Sequence, residues 1–206
     1  MLSYKTIKNE SNDEFIEKKS RFIGYAKPVK TQDEALEFIS EIKSKHWDAT
    51  HNVYAYVLRE GGVRRFSDDG EPQGTAGIPS LDVLLKENVT DCCVVVTRYF
   101  GGIMLGAGGL VRAYSHGAKI AIDAAGIITM SLCKIVKVKT DYNFYGRLLP
   151  LICEEGGIVE DTVFTDIVEV IFRIPQDKLA HFDSRLTDAS CGKFYGEVID
   201  EKYCEI

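Results

Sequence analysis

The amino-acid sequence predicts an α+β protein of two domains, residues 1–131 and 132–206, and three observations support this prediction. The chain has 206 residues, a length that suits one large or two small domains. Strand and helix patterns mix along the first part, which indicates a sandwich of a sheet and helices. After Met130–Cys133 the patterns start again in the order β-α-β-β-α-β, which is the order of a ferredoxin-like domain.

In the N-terminal part, the clearest element is an amphipathic helix predicted over residues 31–46. Thr31 has the side chain of a good N-cap, Glu34 completes a capping box, and apolar residues at helical spacing share one face. Two strands and a second helix are predicted next, at residues 53–58, at residues 92–96, and from near Gly109 to Ala125.

In the C-terminal part, the same two periodicities predict four strands and two helices. They are expected at residues 135–138, 145–152, 158–164, 167–174, from Pro175 onward, and at 194–199. Gly156 and Gly157 close the first helix. Pro175 opens the second, because the first helical position tolerates proline.

The composition indicates a compact protein without export or membrane signals. Hydrophobic residues make up 45% of the chain and charged residues 27%. No apolar run reaches the roughly 18 residues of a membrane-spanning helix, and the first residues contain no apolar signal core. The sequence therefore predicts a cytoplasmic protein with no membrane partner.

The six cysteines predict neither a metal site nor a cofactor. They show no C-x-x-C spacing and do not cluster with the four histidines. We expect reduced, mostly structural thiols, with at least one of the neighbours Cys92 and Cys93 facing the core.

Two glycine-rich blocks, residues 65–79 and 94–114, carry the strongest functional signal. In the second block, a buried strand ends in a polar Thr97-Arg98-Tyr99 edge and leads through a glycine loop into a helix. Such an arrangement can bind an anion at the helix N-terminus, although the glycines could instead serve only a tight connection. The predicted anion- or nucleic-acid-binding residues are Arg98, Tyr99, Gly101, Gly102, Gly106, Gly108, Gly109 and Arg112.

Known nucleotide motifs do not fit this loop. No lysine follows the glycines as a P-loop requires, and Val111 stands where a dinucleotide fingerprint needs its third glycine.

The first block forms an acidic turn of three carboxylates, Asp68, Asp69 and Glu71. They could cap backbone N–H groups, bind Mg²⁺, or hold Arg98 or Arg112 by charge-assisted hydrogen bonds. The arginine pairing is the favoured structural role, and no metal site is predicted.

A catalytic role can be assigned only to weak candidates, which are His51, Asp69 and Glu71. His51 begins a predicted strand, where it could transfer protons or simply hydrogen-bond the strand end. Tyr99 and Phe100 could stack on a base, or belong to the core.

The charge is unevenly divided along the chain. Residues 92–140 contain six basic and one acidic side chain, a net charge of +5 in a protein of net charge −6. This pattern favours local capture of an anion over broad coating of nucleic acid. Alternatively, Lys134, Lys137 and Lys139 are only the solvent face of a strand.

The two glycine-rich blocks also carry a family resemblance. The runs SDDGEPQGTAGIP at residues 67–79 and RYFGGIMLGAGGLVRAY at 98–114, with KKSRFIG at 18–24 and HNVYAYVL at 51–58, resemble the IMPACT/YigZ family, of the UPF0029 type. The resemblance implies an N-terminal domain like one of a small-subunit ribosomal protein and a C-terminal domain like the last domain of elongation factor G. Met104 departs from the lysine expected there, which removes one candidate phosphate contact.

The resemblance also implies a link to translation, because eukaryotic members regulate a translational stress kinase through a ribosome-associated partner. It supplies no catalytic residues. Three hypotheses follow: a regulatory or accessory protein that binds RNA or a ribosome-associated protein, an enzyme acting on a small phosphorylated substrate, and a protein-binding scaffold. The first is favoured, an enzyme is the less expected outcome, DNA is not an expected partner, and the oligomeric state stays open.

Overall fold

The computed structural model describes residues 3–205, and their contacts form two compact domains, Tyr4–Thr129 and a second that begins at Met130. Both domains contain helices and strands, so the predicted α+β class is confirmed. None of the helices within residues 3–205 combines the length and the apolar character that crossing a bilayer requires.

The N-terminal domain is built on a five-stranded antiparallel sheet with the order β2-β3-β6-β4-β5. Its elements, in chain order, are β1 (Ser3–Ile7), β2 (Ser11–Glu17), β3 (Ser20–Pro28), α1 (Gln32–Lys45), β4 (His51–Val57), a 3₁₀ turn (Glu60–Gly62), β5 (Arg64–Ser67), α2 (Gly77–Lys86), β6 (Cys92–Tyr99) and α3 (Ala107–Ala125).

Helices cover both faces of this sheet, so the sandwich has three layers. The α1 helix buries Phe38 and Ile42 on one face, and α2 and α3 bury Leu84 and Ile122 on the other. The central strand β6 is buried on both sides. Its neighbours Cys92 and Cys93 therefore lie in opposite cores, because successive side chains of a strand point to opposite faces.

The α3 helix approaches the sheet closely at two glycines. A Cβ atom on Gly24 of β3 would lie 2.1 Å from the carbonyl oxygen of Gly117 in α3. One on Gly117 would lie 2.8 Å from Cγ1 of Val96. No larger residue fits at this crossing without moving the helix.

The structure corrects two predicted boundaries next to the glycine loop. Strand β6 continues from Val96 to Tyr99, so Thr97 and Arg98 are ladder residues paired on both sides and not a polar edge. Helix α3 begins at Ala107 rather than near Gly109, because Gly106 with φ 72° makes the turn. The α1 prediction is confirmed, and Thr31 accepts a hydrogen bond from Glu34 N–H.

The C-terminal domain has the predicted β-α-β-β-α-β order. Its elements are β7 (Ile127–Thr140), which starts before Met130, α4 (Tyr142–Glu154), β8 (Ile158–Phe164), β9 (Val168–Pro175), α5 (Gln176–Ser190) and β10 (Gly196–Glu205). The strands pair antiparallel in the order β10-β7-β9-β8. Pro175 is the N-cap of α5 and not its first residue, and the last strand extends past the predicted residues 194–199.

Candidate anion-binding site

The N-terminus of α3 presents free backbone donors to solvent. Gly106 is the N-cap and has no side chain to cap the helix, and the first helical bond runs from Leu110 N–H to Gly106 O. Within residues 3–205, the N–H groups of Ala107, Gly108 and Gly109 therefore have no backbone acceptor, and the first two of these residues are exposed. A helix of 19 residues adds its dipole to these donors.

The N-cap Gly106 and the first helical residue, Ala107, border a cavity of about 380 Å³, called here the Arg98 cleft. One side of it is polar and the other apolar. It is lined by Thr50, His51, Glu71, Pro72, Arg98, Phe100, Met104, Leu105, Gly106, Ala107 and Leu110.

A buried charged network forms the polar side of the cleft. Arg98 is 5% exposed and donates from Nη1 to Oε1 of Glu71 at 2.6 Å; Glu71 is 8% exposed. The same carboxylate oxygen accepts from the hydroxyl of Tyr114 at 2.8 Å. Burial and the adjacent Glu71 raise the pKa of Tyr114, so the phenol stays protonated and keeps donating.

Arg98 keeps one donor without a partner. Its guanidinium lies 5.5 Å from the ring centre of Phe22 and 5.3 Å from that of Phe100. Its Nε is buried and has no hydrogen-bond partner among the described residues. An unmet donor on a buried arginine costs free energy, because it has lost its hydrogen bonds to water without gaining a partner in the protein.

His51 enters the same cleft in a fixed orientation. Its Nδ1 lies 2.8 Å from the carbonyl oxygen of Asp69, so Nδ1 carries the proton and donates to that oxygen. The other nitrogen, Nε2, lies 3.8 Å from Oε2 of Glu71. The structure therefore brings three of the sequence candidates, His51, Glu71 and Arg98, to one site.

The other two acids of the turn do not hold an arginine, which corrects the favoured interpretation for them. Asp68 accepts from three backbone N–H groups, those of Gly74, Ala76 and Gly77, and so caps α2. Asp69 accepts from Asn52 N–H and from Lys43 Nζ. Within residues 3–205, no group of three or more His, Cys, Asp or Glu side chains is placed to hold a metal ion.

Arg112 does not lie in the Arg98 cleft and pairs with none of the acids described. It lines a second cavity of about 460 Å³, called here the Arg112 cavity, together with Phe15, Ile16, Glu17, Lys18, Leu105, Gly109, Ala113 and His116. Leu105 lines both cavities, so they are neighbours around the glycine loop. The structure thus distributes the predicted anion-binding residues over two adjacent sites.

Two other loop glycines serve the backbone, one by allowing a close approach and one by adopting a positive φ. Gly101 donates its N–H to Ser20 Oγ, and a Cβ on it would lie 2.0 Å from the carbonyl carbon of Lys19. Gly102 has φ 81°, a conformation that favours glycine.

Tyr99 packs against the α1 side of the sheet. Its hydroxyl donates to Asp48 and accepts from His46 Nδ1, while His46 Nε2 accepts from the hydroxyl of Tyr25. Desolvation lowers the pKa of His46, which fits this neutral form. The structure does not bring Tyr99 to the cleft.

The sequence analysis missed Tyr114 and Thr50 as site residues. Tyr114 lies two turns into α3, on the face that its apolar neighbours assign to the core. Its partner Glu71 is 43 residues away in the chain, and no local pattern indicates such a pair. The three lysines of β7 pair with acids, Lys134 with Glu201, Lys137 with Glu197 and Lys139 with Glu169.

Comparisons with known proteins agree with this architecture. The model described as Impact N-terminal domain matches residues 18–122, and the Domain of unknown function (DUF1949) matches residues 138–193. The IMPACT family member YvyE of Bacillus subtilis is 40% identical over 93% of this chain and 88% of its own length. The chain belongs to the IMPACT family.

Other members of the IMPACT family match in whole or in part. YigZ of Escherichia coli is 32% identical over 89% of this chain and 92% of its own. The Protein IMPACT homolog of Dictyostelium discoideum is 37% identical over 48% of this chain and 29% of its own. A crystal structure of a hypothetical protein is similar with a TM-score of 0.61 and 30% identity, over 97% of this chain and 98% of that one.

Proposed function

We propose that this IMPACT-family protein is a translation-linked regulatory or accessory module that binds RNA, with a backbone phosphate at the N-terminus of α3. The free N–H groups of Ala107, Gly108 and Gly109 are the observation that carries this proposal; Ala107 lines the Arg98 cleft and Gly109 the Arg112 cavity. The link to translation rests on family membership, which includes eukaryotic proteins named IMPACT.

The two sides of the cleft suit the two parts of a nucleotide. A phosphate at the helix N-terminus gains hydrogen bonds and a favourable interaction with the helix dipole, and Arg98 lines the same cleft. Phe100 is 47% exposed and Met104 is 86% exposed. Their exposed apolar surface can pack against the flat face of an unpaired base. Such packing does not depend on which base is present.

One observation favours a second candidate, an enzyme acting on a small phosphorylated substrate. His51 is oriented by the Asp69 carbonyl, and its Nε2 is available in the cleft as a proton acceptor. Glu71 is less suited to this role because Oε1 is occupied by Arg98 and Tyr114. Turnover of a phosphorylated metabolite that disappears in His51→Ala would favour the enzyme.

The proposal predicts that Ala107→Glu weakens RNA binding without loss of stability. A carboxylate in the first turn stabilises the helix by about 0.3 to 1 kcal/mol through the dipole, yet it repels phosphate. We expect the dissociation constant for single-stranded oligouridine of about ten nucleotides to rise by about tenfold or more, measured by fluorescence anisotropy at fixed salt.

The matched control is Ala107→Gln, which has the same shape and no charge. It should bind within about twofold of the wild type, since a neutral side chain leaves the donors available. Equal binding by all three proteins would contradict the proposal. RNA-independent association with a ribosomal protein, abolished in Ala107→Glu, would assign the site to a protein partner.

A further inference from the structure

The turn that joins β2 to β3 consists of two lysines in a strained conformation. Glu17 pairs with Ser20, so Lys18 and Lys19 form a two-residue hairpin loop. Their φ angles are 45° and 64°, both in the left-handed region. Loops of this kind favour Asn-Gly, because residues with a larger side chain are strained there. Strain at an exposed turn suggests that these side chains serve a purpose other than stability.

The first lysine of the turn belongs to the lining of the Arg112 cavity, and Lys19 follows it in the chain. Lys18 lines that cavity with Arg112, and neither has an acidic partner among residues 3–205. Most other lysines are paired, namely Lys27, Lys43, Lys119, Lys134, Lys137, Lys139, Lys193 and Lys202. Glu17 is the one acid that lines the cavity in the described structure. Two cations and one acid thus line the same cavity, a balance of charge that favours an anionic ligand.

The remaining lining of the cavity is apolar and aromatic. Ile16 is 73% exposed, and the ring of Phe15 meets His116 edge to face at 4.6 Å between ring centres. Apolar and aromatic side chains beside two cations suit an unpaired base and its phosphate. A duplex keeps its bases stacked inside and cannot offer them to a recessed cavity.

We propose that the Lys18-Lys19 turn and Arg112 form a second phosphate site, and that the two adjacent cavities bind successive nucleotides of single-stranded RNA. This inference rests on the proposed function and deepens it by naming a single strand as the ligand. Leu105, which lines both cavities, is the shared wall that the strand crosses.

Two turn variants separate charge from strain. Lys18→Gln with Lys19→Gln removes both charges and keeps the strain, whereas Lys18→Asn with Lys19→Gly removes both charges and relieves it. The charge-matched control is Lys30→Gln with Lys86→Gln, two exposed lysines that line neither cavity. Each protein is titrated with the oligouridine probe at several salt concentrations, and its melting temperature is recorded.

Both turn variants are expected to bind the RNA about tenfold or more weakly. The slope of log K against log salt should become shallower by about 0.7 for each phosphate that the variant no longer neutralises. Only the Asn-Gly variant should melt at a higher temperature than the wild type. Binding of the turn variants equal to that of the control overturns the inference. So does a defect confined to binding of polyglutamate, which would assign the turn to an acidic protein.

The outcomes also distinguish this inference from the proposed function. If the wild type binds RNA and Ala107→Glu weakens it while the turn variants do not, only the second phosphate site fails. If the wild type does not bind the RNA, both proposals fail.

Discussion

Replacing Arg98 by methionine is expected to lower the free energy of unfolding of the N-terminal domain by about 3 to 5 kcal/mol. Arg98 is buried, and its partner Glu71 is buried with it. Without the guanidinium, the hydroxyl of Tyr114 is the one hydrogen-bond donor that the described residues leave to the carboxylate. An uncompensated charge is then left in the core. Urea unfolding followed by circular dichroism measures the decrease in stability.

The matched control is Arg21→Met on the neighbouring strand β3. Arg21 meets Glu14 at the same 2.6 Å, but their side chains are 51% and 52% exposed, so the pair is screened by solvent. This variant should lose little stability. Adding Glu71→Gln to Arg98→Met should recover part of the stability, because it removes the unpaired charge. A destabilisation by Arg98→Met no larger than that by Arg21→Met would contradict the buried-pair argument.

Because Arg98 is buried, a substitution there cannot test anion binding separately from stability. A charge reversal at Arg98 is expected to disturb the fold as well as the site. The reversal would place a second carboxylate beside Glu71 in the core. Ala107 is the better position because it is exposed and belongs to the first turn of α3.

Replacing Gly24 by alanine should destabilise the same domain by about 3 kcal/mol or more. The added Cβ would lie 2.1 Å from the carbonyl oxygen of Gly117 and 3.0 Å from Cβ of Ala121. All of these atoms belong to a packed helix and strand, so α3 must move away from the sheet. The midpoint of thermal unfolding gives a direct measurement.

Gly108→Ala is the control for this substitution, on the same helix. A Cβ there meets only Arg112 Nη1 at 3.8 Å, an ordinary van der Waals distance. Because alanine is the better helix former, this variant should gain up to about 1 kcal/mol. Similar effects of the two substitutions would show that the Gly24–Gly117 approach is not as close as described.

How far the sequence predicts this structure depends on the range of the interactions. Thr31 and Glu34 predict the start of α1 because a cap is decided within four residues. The pairing of Arg98 with Glu71 could be proposed only as one of several options, since sequence spacing does not place β6 beside the acidic turn. The remaining contacts of the site depend on which side chains become buried when the chain folds.

Strand β2 could not be predicted from its own sequence. It has the burial pattern of a mostly exposed edge strand, and its sequence SNDEFIE contains few apolar residues. Its hydrogen-bonded pairing with β3 holds this segment as a strand, which its own composition does not predict. The Lys18-Lys19 turn is not predicted from the sequence either, because lysine is not a residue that usually indicates a hairpin loop.

The cysteines can report local unfolding, because some are buried and others are exposed. Cys92 and Cys93 are sealed in opposite cores of the N-terminal domain, and burial raises the pKa of both thiols. Cys133 and Cys204 are buried in the C-terminal domain, while Cys153 and Cys191 are exposed. A thiol reagent should therefore modify the exposed pair at once. It should reach the other four only as each domain unfolds. The rate of labelling at each cysteine therefore measures the unfolding of the two domains separately.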